Sequence, residues 1–472
     1  MKAWIISLIA LSCALSTPVY AEQQLPTTVT QALKRYKIPL SAVSVEIKNL
    51  HSVNPVLSIN AATPRNPASV MKLVTTLAAL ELLGPAYTWK TEYFADGKLK
   101  NGRLDGNLIL RGGGDPYLVS DQFRQQLHLL KQKGLTDIGG DLIIDNSAIS
   151  VPNHNRARFD GRPQRVYNVV PSASIVNFSA TRVILQPEDG KIRVITEPPV
   201  PNLNIQNQLS PSKSRCRSRW AGWSFKTMQT AKLSVLNFDG KYPVRCGATE
   251  FTRAFLSNTD YTYGLFKSIW EEMGGQLHGK FGLGSVNGRA ERLLAAESRP
   301  LAEVIRGVNK FSNNIMARQL LLTIGKELYG KPGTTQTGIS GIKEWLNSNG
   351  LVMPELVIEN GAGLSRISRV SAQSLSALLR KGWDSNYHPE FLSSLALASI
   401  DGTMRRRLRK EAPAGRVRIK TGSLNGTRAI AGYVKSNSGQ DYSVVMLLNH
   451  DKVSYRSGSR VQDALLRWLL QY

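Results

Sequence analysis

The chain has 472 residues, with 60 Lys and Arg against 34 Asp and Glu, and a formal charge of +26. A hydrophobic fraction of 42% excludes a disordered chain, and 39 Gly with 22 Pro exclude a collagenous or low-complexity one. Single cores stop growing near roughly 250–300 residues, so two or three domains are expected.

Lys2 precedes an apolar run from Ala3 to Leu15; Thr17 and Pro18 break it, and Val19-Tyr20-Ala21 offers small residues at −3 and −1 of a cleavage site. Residues 1–21 therefore read as a signal peptide, with the mature chain starting at Glu22. The alternative, a transmembrane anchor, needs about 20 apolar residues. Lipidation at Cys13 fits poorly, because Ala10-Leu11-Ser12 is a poor approach to a lipidated cysteine. No later apolar run is long enough to span a bilayer, so the mature protein is expected to be soluble. Its two cysteines, Cys216 and Cys246, are expected to close into a disulfide in an oxidising compartment, two free thiols being the alternative. The leader carries one charge, Lys2, so the mature chain stays strongly basic. Arg215, Arg217 and Arg219 form one dense run, and Arg405, Arg406, Arg407, Arg409 and Lys410 another. Export argues against nucleic acid and for an anionic wall polymer or membrane surface; a solvated basic face is the plain alternative.

In chain order, a helix precedes strands at Ala42–Ile47 and Val56–Ile59. From Ser69, the residues Val70, Leu73, Val74, Leu77, Leu80 and Leu83 recur at helical spacing until Gly84-Pro85. Ser69 is thus placed at a helix start, with Lys72 one turn on and on the same face. Residues from about 90 to 290 read as short strands and turns. Helices return at Leu301–Val308 and Asn314–Tyr329. Strands follow at Val417–Lys420, Ala429–Val434 and Tyr442–Leu447, with turn chemistry between Gly422 and Gly426. A last helix, from about Arg460 to Leu470, is expected to pack Val461, Ala464, Leu465, Trp468 and Leu469 on the sheet. The order predicts an α+β core whose sheet draws on both chain ends, interrupted by a β-rich insertion of one or two modules. The expected boundaries are 22–90 plus 290–472 for the core and 91–289 for the insertion, whose inner module spans roughly 150–250.

Three short motifs carry candidate chemistry. In Ser69-Val70-Met71-Lys72 a serine hydroxyl has a potential base one turn away, provided that the lysine is kept neutral. Ser312-Asn313-Asn314 can place a hydroxyl and an amide in one cleft, although Ser and Asn also favour plain helix caps. Lys420-Thr421-Gly422-Ser423, placed at a strand end, offers a cation, two hydroxyls and a glycine that admits close backbone approach. No zinc-binding His-Glu-x-x-His, phosphate loop or Gly-x-Ser-x-Gly occurs, and neither a metal nor a cofactor is implied.

In this order the motifs are the signature of active-site serine penicillin-recognising enzymes. With the long gap between Ser69 and Ser312, and with Leu82–Pro85, Gly114-Asp115-Pro116, Gly139–Asp145 and Gly361–Arg366, the chain resembles type-4 low-molecular-mass penicillin-binding proteins. These are class C D-alanyl-D-alanine carboxypeptidase/endopeptidases. The resemblance implies a penicillin-binding, serine β-lactamase-like transpeptidase core, periplasmic location, peptidoglycan stem peptides as substrates and β-lactams as covalent inhibitors. It also implies roles. Ser69 is the nucleophile and Lys72 its base. Ser312 relays a proton toward the leaving amine and Lys420, and Asn314 holds the substrate amide. Lys420, Thr421 and Ser423 bind the terminal carboxylate, and the Ser69 and Ser423 N–H groups line the oxyanion hole. Arg366, Asn425 and Tyr167 match positions that line the pocket for the substrate side chain. An acidic residue is often found shortly before the aromatic; here alignment puts Arg162 there with Asp160 two residues away. Either the loop presents Asp160 or the pocket takes other side chains. A non-catalytic wall-binding protein and a β-lactamase are the alternatives.

Overall fold

Six antiparallel strands drawn from the two ends of the chain build the central sheet. Their order is Ala396–Leu397, Val417–Leu424, Thr427–Lys435, Asp441–Asn449, Val43–Asn49 and Pro55–Ile59. The structure is a computed structural model that describes residues 24–472 apart from 53, 153–154, 230–233, 331 and 412. The expected signal peptide and its cleavage point thus lie outside the described residues.

Both faces of this sheet are covered, and the sequence shows how. Along Thr427–Lys435, Ala429, Ala431 and Tyr433 enter one core, while Ile430 and Val434 enter the other. Both sets are apolar, so the strand shows no polar–apolar alternation, as suits one buried on both sides. On the first face lie helices Lys72–Leu83, Leu301–Phe311, Asn314–Tyr329, Thr335–Ser348 and Ala372–Trp383. On the second lie Thr27–Tyr36 and the C-terminal helix Tyr455–Gln471. The latter starts earlier than its apolar spacing suggested, because Ser454 caps it through the Ser457 N–H. Val461, Leu465 and Leu469 on it are fully buried, each contributing about 1.5–3 kcal/mol by leaving water. Among the described residues no helix is long and apolar enough to cross a membrane.

The middle of the chain adds a seven-stranded sheet, built from strands between Lys90 and Asp145 and between Gln276 and Glu297, and two three-stranded sheets between Thr181 and Arg253. The reading of this region as strands and turns missed two helices, Ser120–Gln132 and Asn258–Glu272. Phe123, Leu127 and Leu130 of the first and Tyr261, Leu265, Phe266 and Ile269 of the second fill the core under the sheet, so each has a helical apolar face. Cys216 and Cys246 are joined, with Cα atoms 5.0 Å apart.

Candidate active site

Ser69 lies in a 3₁₀ turn, Ala68–Met71, that feeds the helix Lys72–Leu83, so the regular helix begins three residues later than its pattern indicated. Ala68 has φ +46°, a backbone state that costs about 1–3 kcal/mol for a residue with a side chain. Neighbours hold it there. Asn66 Oδ1 accepts the Ala68 N–H at 2.9 Å, and Asn449 Oδ1 accepts the Asn66 N–H at 2.7 Å. A Cβ on Gly363 would lie 1.9 Å from the Ala68 carbonyl oxygen, and one on Gly422 would lie 3.1 Å from the Ser69 nitrogen. Both glycines are required by close approach, and together they set the strand and the Gly361–Arg366 loop against the serine.

Lys72 is fully buried, and its Nζ has three neighbours: Ser69 Oγ at 3.0 Å, Asn314 Oδ1 at 2.6 Å and the Ala362 carbonyl at 2.6 Å. Burial holds its pKa well below the ordinary 10.5, and the charges of Lys420 and Arg318 push it the same way. A neutral amine has two N–H donors and one lone pair. Donation to Asn314 and Ala362 leaves the lone pair for the Ser69 hydroxyl.

The second motif splits between two roles. Ser312 has φ +60° and ends the helix Leu301–Phe311, and Asn313 caps the next helix by accepting the Ile315 and Met316 N–H groups. The cap is therefore Asn313, which frees Ser312 and Asn314 to face the cleft. Lys420 Nζ donates to Ser312 Oγ at 2.9 Å and to the Thr421 carbonyl at 2.7 Å; full burial brings its pKa down to about 7. The third motif lies at a strand end as expected, but inside the strand, which runs longer than Val417–Lys420. Strand Val417–Leu424 continues through Ser423, paired with Thr427–Val434, and only Asn425-Gly426 turns. The longer strand keeps the motif rigid on the sheet, where Thr421 Oγ1 donates to Thr403 Oγ1 at 2.8 Å.

A cleft of about 660 Å³ is lined by Ser69, Ser312, Asn314, Thr421, Gly422 and Ser423. Arg366, Asn425, Asp160, Arg162 and Tyr167 line the same cleft. Asp160 Oδ2 accepts the Tyr167 hydroxyl at 2.6 Å, and its Oδ1 accepts from Asn168 at 2.8 Å and from the Arg162 N–H at 3.1 Å. Burial favours the protonated acid, but these hydrogen bonds outweigh it and hold the carboxyl below its ordinary 3.8. Arg162, which alignment set in the acidic position, thus turns its N–H toward Asp160, and both residues reach the cleft. Arg366 lies over the Phe159 ring at 4.9 Å. Of the second basic run, Arg407 turns inward to Asp463 at 2.7 Å, leaving Arg405, Arg406, Arg409 and Lys410 at the surface. Sequence reasoning missed the Ala362 carbonyl, the Asn66–Asn449 latch, Thr403 and Arg428. The glycines flanking Ala362 were the one available signal.

Known proteins place this geometry in context. A D-alanyl-D-alanine carboxypeptidase DacB of Haemophilus influenzae is 26% identical over 450 residues, covering 93% of this chain and 91% of the relative. A D-alanyl-D-alanine carboxypeptidase of Actinomadura sp. is 28% identical over 427 residues, covering 86% of this chain and 77% of the relative. The crystal structure of penicillin binding protein 4 from Haemophilus influenzae superposes with a TM-score of 0.79 at 22% identity, over 95% of this chain and 100% of that one. The family model described as D-Ala-D-Ala carboxypeptidase 3 (S13) matches residues 25–472. With serine, lysine and strand arranged as above, the chain belongs to the D-Ala-D-Ala carboxypeptidase 3 (S13) family.

Proposed function

We propose that this protein is a serine DD-peptidase that cleaves the D-Ala-D-Ala terminus of peptidoglycan stem peptides and the peptide cross-links between them, through an acyl-enzyme on Ser69. The observation that carries the reading is the fully buried Lys72, with two acceptors for its N–H groups and Ser69 Oγ 3.0 Å from its Nζ. Ser69 Oγ attacks the carbonyl carbon of the penultimate D-Ala while its proton passes to Lys72 Nζ. Asn314, with Oδ1 engaged by Lys72, has its amide NH₂ left to donate to the substrate. The Ser69 and Ser423 N–H groups receive the developing oxyanion, usually a large part of acyl-transfer catalysis. The C–N bond then breaks as the amine takes a proton through Ser312, which Lys420 contacts. D-Ala leaves, and water hydrolyses the ester to release the shortened stem and regenerate Ser69.

A β-lactam acylates the same oxygen but keeps its leaving group tethered, which slows release. Asp160, Tyr167, Arg366 and Asn425 read the side chain of the preceding stem residue, the Asp160 carboxylate suiting an ammonium. The protein works in the periplasm, and its basic surface holds it against anionic wall or membrane. Release of D-Ala from a stem pentapeptide and of monomers from cross-linked muropeptides, both lost in Ser69→Ala, is the test. Equal release by the variant refutes the reading.

A further inference from the structure

Beside Ser423, the cleft contains a cation that none of the steps above uses. Arg428 stands opposite Ser423 in the strand pair and is only 8% exposed. Its Nη1 donates to Ser423 Oγ and to the carbonyls of Leu424 at 3.3 Å and Thr427 at 3.0 Å. The guanidinium lies over the Tyr455 ring at 5.1 Å, and its Nε has no partner among the described residues. No carboxylate among them pairs with it. Room for its stem is made by Gly458, where a Cβ would sit 2.4 Å from Arg428 Cγ. Glycine weakens a helix interior, so its presence in the helix Tyr455–Gln471 fits a requirement for that space.

A guanidinium can only donate hydrogen bonds. In this contact Ser423 Oγ is therefore the acceptor, and its own O–H is left to donate into the cleft. We propose that Arg428 is a positioning residue that aims the Ser423 hydroxyl at the free terminal carboxylate of the substrate and supplies positive charge behind it, so that it sets preference for acid over amide termini. This rests on the DD-peptidase reading and deepens it. A buried cation without an acid of its own is an electrostatic seat for an incoming anion, and a charge-assisted hydrogen bond is roughly twice as strong as a neutral one. Two residues earlier on the same face of the strand, Thr421 Oγ1 meets the neutral Thr403 hydroxyl. The two hydroxyls of the motif are therefore unequal, and Ser423 is the one tuned for charge.

The test compares a diacylated tripeptide ending in D-Ala-D-Ala with its C-terminal amide, reading kcat and KM separately. Arg428→Gln is expected to lower the acid-to-amide ratio in kcat/KM by about tenfold or more, chiefly through KM for the acid. Arg428→Lys, which keeps the charge and fills the same space, should restore part of the ratio. A merely structural role would lower both substrates together, so an unchanged ratio in Arg428→Gln overturns the proposal. If the Gln variant does not fold, an unchanged ratio in Arg428→Lys, which has lost the planar fork, overturns it equally. Wild-type protein that cleaves neither peptide would instead overturn the peptidase reading.

Discussion

The inserted modules and the cleft handle positive charge differently. In the insertion, Arg182 meets Glu197 at 2.8 Å and Glu250 at 2.7 Å, and Arg124 meets Glu272 at 2.7 Å, all at the surface. Such pairs add little to stability. In the cleft, Lys72, Lys420 and Arg428 are buried and meet hydroxyl, amide and carbonyl oxygens instead of acids. The fold can supply an acid to a buried lysine: Lys310, just before Ser312, pairs with Asp401 at 2.5 Å. The acids withheld from Lys72 and Lys420 thus mark where the fold lowers the pKa of a lysine instead of pairing its charge, and strongly perturbed lysines in a cleft are what acid–base work needs.

Substitutions in the cleft should have the largest effects. Ser69→Ala is expected to lower D-Ala release by at least about 10⁴-fold while circular dichroism stays unchanged. Lys72→Met should lower acylation by roughly 10²–10⁴-fold. Near-normal penicillin acylation in that variant would remove Lys72 as the base. In wild type, kcat/KM should rise with pH as Lys72 loses its proton, and the rising limb should lie well below 10.5. A limb at the ordinary lysine value would contradict the burial argument. Asn314→Ala, which removes one acceptor from Lys72, should cost about 10–100-fold in acylation and shift that limb.

The buried Lys420 should also be visible in stability. Its folded pKa of about 7 lies below the ordinary 10.5, so between these values the unfolded chain binds the extra proton. Stability must rise with pH across that window, and at pH 7 and below the buried charge costs on the order of a few kcal/mol. Lys420→Met should therefore lose peptidase activity, unfold at a higher temperature near pH 7, and show a shallower slope than wild type between about pH 7 and 10, Lys72 keeping its own share. An unaltered slope would show that Lys420 is not depressed. The smallest effect is expected from the insertion: Cys216→Ser with Cys246→Ser should cost about 3 kcal/mol locally yet leave the acylation rate within about twofold, as followed by thermal melts and penicillin kinetics.

Sequence and structure agree most where information is local. Ser69 and Lys72 share a face because of helical spacing, and the two-ended sheet follows from apolar strands at Val43–Asn49 and Thr427–Asn449. The same local reasoning misjudged the strand at Lys420, since Gly422 signals a turn until Pro67 is seen against it: a Cβ there would lie 2.5 Å from the Pro67 carbonyl oxygen. It also missed groups whose role depends on contact at a distance. The Ala362 carbonyl has no side-chain signature, and Asn66 acquires its task only when the last strand brings Asn449 to it. Arg428 is one of 60 basic residues until the strand pairing sets it opposite Ser423.

Whether Ser69 is the nucleophile is read by intact-mass spectrometry of the purified protein incubated with a penicillin, followed by peptide mapping. One adduct per chain is expected, carried by the peptide that contains Ser69, decaying over minutes or longer and absent in Ser69→Ala. An adduct on another residue, or none on folded protein with the drug left intact, would contradict it.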